Sequence, residues 1–224
     1  MTRTSCFTAL SLTALAAGIA CSDIIAPSRN VRYDWRLIVN FDSAGPRVDT
    51  LSFHWPRGSI PVKVWVENQY NIPDRIREGI ALWKPAFVYG EWNAKVVADS
   101  NLADVIVRTT QPPPLAIAPA HRFPALVEPC IGATDVDTGA TRFQLVVPIH
   151  VYVFPTLPAD TGITRCLRTV AAHELGHSLG LFQHSADSLD LMFSVPTATR
   201  LSDRDVGTAV NAYHFAADMV PVHR

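Results

Sequence analysis

The sequence predicts an α+β fold in which a mixed twisted sheet carries helices. Three observations support this class. Strand-like and helix-like patterns follow in the order strand, helix, strand, strand between residues 60 and 110. A long strand candidate at 143–154 then leads into a helix that starts near Thr164. Finally, 48% of the 224 residues are hydrophobic and 17% are charged, which suits one domain with its own core.

The first 20 residues predict a signal peptide. Arg3 gives a positive start, and the apolar stretch at 6–20 is too short to span a bilayer comfortably. Gly18 and Ala20 are small residues of the kind that signal peptidase prefers. Cys21 follows at once and resembles a bacterial lipoprotein acylation site, although such sites usually have Leu where Gly18 stands. We therefore expect an exported protein, either a lipoprotein of the cell envelope or a secreted one.

The number of cysteines helps to decide between a lipoprotein and a secreted protein. The exported chain keeps three of them, and an odd number needs an explanation in an oxidising compartment. Lipidation of Cys21 would explain the odd number, because it would leave Cys130 and Cys166 to form a disulfide. That bridge would fix the proline-rich segment before Cys130 next to the helix near Thr164, and would stabilise the fold by ~3–4 kcal/mol in the entropic model. The alternative is an unpaired Cys21 on a secreted protein.

Next come a polar tether at 21–30 and an extension at 31–54, where two strand-like runs flank a turn at 42–47. Residues 55–224 form the main predicted domain. Its first strand, 60–67, alternates apolar and polar residues. A helix follows from Pro73 with Ile76, Ile80 and Trp83 at helical spacing, and Pro85 should end it early. Two strands are predicted at 92–100 and 103–110.

The middle of the chain departs from this succession of strands and helices. Six prolines between 111 and 130 predict a surface excursion, because proline donates no backbone hydrogen bond. Residues 135–142 predict a turn; a calcium loop at 135–139 is the less favoured interpretation. Pro148 predicts an edge position for the strand at 143–154. His150 in this strand is a candidate ligand, but a lone strand histidine is more often a surface or cleft residue.

A closing helix is predicted from Ser202, which is a suitable N-cap. Asp205 lies three residues later, so the two resemble a capping box with Asp in place of Glu.

The segment "HELGHSLGLFQH" (173–184) carries the chemistry. His173 and His177 lie four positions apart, so both imidazoles leave one helix face and can share a zinc ion. Glu174 is rotated around the helix, where it suits a general base better than a ligand. Gly180 permits the left-handed backbone that stops a helix. His184 beyond that turn is the expected third ligand.

These residues resemble the metzincin metallopeptidases, most closely the matrixin-like bacterial members. From His184, "HSADSLDLMF" reaches Met192 at the matrixin spacing, and "LSDRDVGTAVNAY" is similar to the closing helix of that family. The resemblance implies a zincin fold with a backing helix, an active-site helix and a Met-turn, in which Met192 is a structural floor beneath the zinc. The third histidine is displaced by one residue, with Gln183 where the common pattern places it. Ser194 stands where astacin-like relatives carry a tyrosine.

The predicted function is that of an exported zinc endopeptidase with one catalytic Zn2+. Zinc held by His173, His177 and His184 would activate a water, and Glu174 would act as general base. The partners expected are peptide or protein substrates that pair with the strand at 143–154, with no nucleic acid and no membrane contact except a lipid anchor. A monomer is expected. The alternative is a zinc-binding envelope lipoprotein without turnover, and a further rival is a non-catalytic envelope protein with a vestigial motif.

Overall fold

A mixed six-stranded sheet is the centre of the fold. The computed structural model describes residues 32–40, 48–114, 121–127, 129–156 and 161–223, and all of them belong to one compact unit, residues 31–224. The predicted signal peptide, the tether with Cys21 and the turn at 42–47 lie outside the described residues. None of the helices in the described ranges has the length and apolar character needed to cross a membrane.

The elements follow a simple order along the described part of the chain. They are β1 (Leu37–Asn40), β2 (Val48–Leu51), β3 (Val62–Val66), α1 (Ile72–Trp83), β4 (Ala94–Val97), β5 (Val105–Arg108), β6 (His121–Val127), β7 (Cys130–Val136), β8 (Gln144–Val147), β9 (Ile149–Pro155), α2 (Thr161–Ser178), α3 (Asp203–His214) and β10 (Val220–His223).

The sheet has the strand order β4-β3-β5-β9-β7-β6. Its first four strands are parallel, β7 runs antiparallel to β9, and β6 runs antiparallel to β7. Two strand pairs stand apart from it: β1 with β2, antiparallel, and β8 with β10, parallel. The α+β class with a mixed sheet is therefore confirmed.

The elements predicted in the first half are confirmed. In β3, Val62, Val64 and Val66 are buried while the residues between them are partly exposed, because alternate side chains point to opposite faces of a sheet. In α1, Ile76 and Trp83 belong to the buried face, and the helix ends at Trp83, two residues before Pro85.

The proline-rich segment needs a correction. It was predicted as a surface excursion, but its second half contains β6, and β7 begins at its last residue, Cys130. Pro124 is compatible with β6 because this strand is the last of the sheet and pairs on one side only. The predicted turn at 135–142 also starts later, since β7 continues to Val136.

The strand at 143–154 needs a second correction. Pro148 does not mark an edge; it separates β8 from β9, which lie in different sheets. β9 is an internal strand with β5 on one side and β7 on the other. Both edges of β9 are occupied, so a peptide substrate cannot pair with this part of the 143–154 segment in the arrangement observed.

Helix α2 packs against α1 and against the strands β7 and β9. The Trp83 indole, which is fully buried, donates from Nε1 to the Ala172 carbonyl at 2.8 Å and so joins the two helices. Gly79 makes this approach feasible, since a Cβ at that position would lie 2.7 Å from Leu175 Cδ1. The second half of α2 is thus held on two sides.

Candidate metal centre

Two histidines on α2 present the same ring nitrogen to one point. His173 and His177 are both 0% exposed. Their Nδ1 atoms lie 2.8 Å from the Leu191 carbonyl and 2.6 Å from the Leu181 carbonyl, respectively. Since a carbonyl only accepts, each Nδ1 carries the hydrogen, and each Nε2 keeps its lone pair free for a metal.

The third imidazole joins them from the following loop. His177 Nε2 lies 3.1 Å from His173 Nε2 and 3.2 Å from His184 Nε2. Lone pairs so close together repel unless a cation lies between them. Tetrahedral zinc with bonds of about 2.0–2.1 Å would separate such nitrogens by about 3.3 Å. In the described part of the chain this trio is the one cluster of His, Cys, Asp or Glu placed to share a metal ion.

Burial keeps these rings neutral. Desolvation lowers the pKa of His173 to about 3, and it is also the main cause that lowers the pKa of His177 and of His184. Neutral imidazoles are the form that binds a metal. The three side chains therefore suit zinc in number, donor type and protonation state.

The turn at Gly180 brings His184 back to the helix. Gly180 has φ +107°, and a Cβ there would run into the Phe53 carbonyl. The Gly180 amide donates to the His177 carbonyl at 3.0 Å, and the Leu181 amide donates to the Gly176 carbonyl at 3.2 Å. This pair of bonds is a Schellman C-cap, which ends α2 and reverses the chain.

The extra residue before His184 is held by the segment that precedes β1. The Phe182 amide donates to the Trp35 carbonyl at 2.7 Å. The Gln183 side chain donates from Nε2 to the Arg36 carbonyl at 3.0 Å, so its amide is hydrogen-bonded outside the histidine cluster. Sequence patterns gave no indication of this contact, because it joins residues 147 positions apart.

Glu174 follows His173 on α2 and has one carboxylate oxygen bound and the other without a partner. The side chain is fully buried, and its Oε2 accepts a hydrogen bond of 2.6 Å from the Thr134 hydroxyl on β7. Its Oε1 is buried with no hydrogen-bond partner, which is rare for a carboxylate. Burial raises the pKa of Glu174, and the Thr134 hydrogen bond partly opposes that rise. A raised pKa makes the carboxylate a better proton acceptor.

Met192 forms the floor below α2. It is fully buried, and a Cβ on Gly176 would run into its Sδ atom. Asp205 at the start of α3 fixes this turn, because its carboxylate accepts from the Leu191 amide at 2.8 Å and the Met192 amide at 3.3 Å. The same carboxylate closes the predicted capping box with Ser202, which is confirmed. Its contact with the Met192 turn was not predicted.

The other candidate sites lie apart. His150 stands on β9 opposite Asp135 and is not part of the cluster. Asp135 makes a two-pronged ion pair with Arg122, with both N–O distances 2.6 Å. Since this carboxylate is already paired, the structure favours a strand end over a calcium loop at 135–139.

Cys130 and Cys166 form a disulfide with a Cα–Cα distance of 6.0 Å. It ties the start of β7 to the first half of α2.

We expect non-reducing peptide mapping of protein from an oxidising compartment to recover Cys130 joined to Cys166. Replacing both by alanine should lower the free energy of unfolding by ~3–4 kcal/mol, because the bridge closes a long loop in the unfolded chain. Denaturant titration measures this loss. Recovery of two free thiols would contradict the assignment.

The segment that carries this site is similar to a known protein family. The family model described as Matrixin matches residues 133–214, from within β7 to the end of α3. No curated protein matches the chain. The matched segment contains the three histidines, Glu174, Met192 and Asp205. The segment that carries the site is therefore similar to the matrixin-like metzincin metallopeptidases.

Proposed function

We propose that the protein is an exported zinc endopeptidase that hydrolyses peptide bonds with Glu174 as general base. One observation carries the proposal: three Nε2 atoms converge on one point, and the residue that follows His173 on α2 is a buried carboxylate whose Oε1 has no partner. A structural metal site needs closed coordination and no such base.

The side chains of His173, His177 and His184 would hold the zinc. When bound, zinc lowers the pKa of a water toward about 7 and polarises the peptide carbonyl. The carbonyls of Leu191 and Leu181 orient two of the imidazoles and raise their basicity as ligands.

Glu174 would move the proton. Its Oε1 is free to accept a proton from the attacking water, while Thr134 holds Oε2. The protonated carboxyl would then deliver that proton to the leaving amine, which must gain one as the peptide bond breaks. Burial excludes competing solvent from the carboxylate and supports this role.

A hydrolysis assay separates this proposal from the alternative of a zinc-binding lipoprotein without turnover. Residues 22–224, purified from an oxidising compartment, should bind one zinc and cleave a quenched fluorescent peptide library. Phenanthroline should stop cleavage and added zinc should restore it. One bound zinc without cleavage would support the alternative, and a protein that binds no zinc would exclude both.

Export and the lipid anchor are part of the proposal, and the disulfide supports an oxidising compartment. We expect mass spectrometry of the mature amino terminus to find Cys21 acylated. Acylation of Cys21 leaves an even number of cysteines in the exported chain, the two that form the bridge. An unmodified Cys21 on a soluble secreted chain would contradict the anchor and leave export standing.

A further inference from the structure

The hairpin of β6 and β7 lays two side chains against the metal centre. Thr134 on β7 and Phe123 on β6 are cross-strand partners, so they lie on the same face of the sheet. The Thr134 hydroxyl contacts Glu174, and the Phe123 ring stacks on the His177 ring with 5.0 Å between centroids. Neither residue belongs to the motif on α2.

We propose, resting on the proposed function, that Thr134 is a positioning residue for Glu174. Its hydroxyl is fully buried and donates to Oε2 at 2.6 Å. That bond fixes the rotation of the carboxylate and leaves Oε1 as the oxygen available to the reacting water. Gly132, two residues earlier, permits the close approach, because a Cβ there would run into Glu174 Oε1.

Thr134→Val removes the hydroxyl and keeps the β-branched shape. We expect bound zinc and KM to stay near the parent values while kcat falls about 10-fold or more. Thr134→Ser restores the hydroxyl and should recover most of kcat; Thr134→Ala serves if the valine variant does not fold. Thr109→Val is the matched control, since Thr109 is also buried and donates to a carboxylate, Glu67, at 2.8 Å outside the site.

Unchanged kcat in Thr134→Val, or an equal loss in Thr134→Ser, would overturn the role of Thr134 alone. A parent protein without hydrolysis would overturn the proposed function, and this role with it.

A second inference rests on the sheet order. An extended peptide that reaches Glu174 by strand addition has to approach β7, the strand that contacts Glu174. One edge of β7 is paired with β9, and β6 occupies the other over its whole length, from His121–Val136 to Val127–Cys130. His173, Glu174 and His177 are 0% exposed in this arrangement.

We infer, again on the proposed function, that β6 occupies the peptide-binding edge of β7 and that a peptide substrate has to displace it to reach the site. Its antiparallel pairing is the pairing that an added peptide strand could make. The Phe123 ring stacks on the His177 ring, and Arg122 on β6 forms an ion pair with Asp135 on β7. The bridge at Cys130 holds β7 in place, so β6 can leave while β7 stays.

Phe123→Ala tests this second inference. Loss of the ring should raise kcat/KM on a peptide substrate about 5-fold or more with bound zinc unchanged, because displacing β6 then costs less. Phe143→Ala, at a phenylalanine that is 45% exposed and outside the site, should leave kcat/KM unchanged. A lower or unchanged kcat/KM for Phe123→Ala would overturn the inference.

Hydrogen exchange of the parent decides the question even if Phe123→Ala does not fold. Binding of a peptide hydroxamate should deprotect the β6 amides and keep those of β7 protected. Amides of β6 that stay protected would overturn the inference.

Discussion

Replacing His184 by alanine should empty the metal centre. His173 and His177 alone give two ligands, whereas catalytic zinc sites use three protein ligands and leave one open position. Zinc affinity should fall by at least about 100-fold. Loss of a residue that only orients a ligand already weakens zinc binding by up to about 100-fold, and His184 is itself a ligand. Metal analysis after dialysis against a weak chelator measures the loss, and peptide hydrolysis should disappear with the metal.

Gln183→Ala is the matched control, one residue earlier in the same loop. The Gln183 amide donates to the Arg36 carbonyl, so its loss should cost ~0.5–1.5 kcal/mol of folding stability. Zinc and most of the activity should remain. If Gln183→Ala released the metal and His184→Ala retained it, the third ligand would be wrongly assigned.

Glu174→Ala should give the opposite pattern, with zinc retained and turnover reduced by about 100-fold or more. The carboxylate makes no contact with the histidine nitrogens in the structure, and its role lies in proton transfer. Zinc content and hydrolysis measured on the same preparation would separate binding from catalysis.

Glu174→Gln is the closer control. It preserves the side-chain shape and its hydrogen bond from Thr134, and it removes a buried negative charge. Its Tm should therefore be at least that of the parent, since an unpaired buried charge costs stability. Peptide hydrolysis at the parent rate in either variant would refute the role of Glu174 as general base.

The site could largely be predicted from sequence because its geometry is local. His173, Glu174 and His177 stand within two turns of one helix, and the left-handed backbone at Gly180 follows from the residue type. The fold between residues 111 and 155 could not. The prolines predict a surface excursion around Pro124 and an edge strand at Pro148, yet Pro124 lies in the edge strand β6 and Pro148 separates β8 from β9. Sequence spacing does not reveal which strands become neighbours.

The contacts of Thr134, Asp205 and Gln183 were missed for the same reason. Each joins residues in different parts of the fold, 40, 13 and 147 positions apart. A pattern with a period of two or of 3.6 residues carries no information about such partners.

The segment before β1 has a consequence for where the chain can be cut. Trp35 and Arg36 hold the loop of the third ligand through their carbonyls. Tyr33 donates its hydroxyl to Asp205 at 3.1 Å, beneath the same centre. These bonds make the amino-terminal segment and the metal loop one cooperative unit of local unfolding. An expression fragment that starts at residue 55, or at residue 133 where the family match begins, would remove half of that unit. Fragments that keep the metal should start before Arg32.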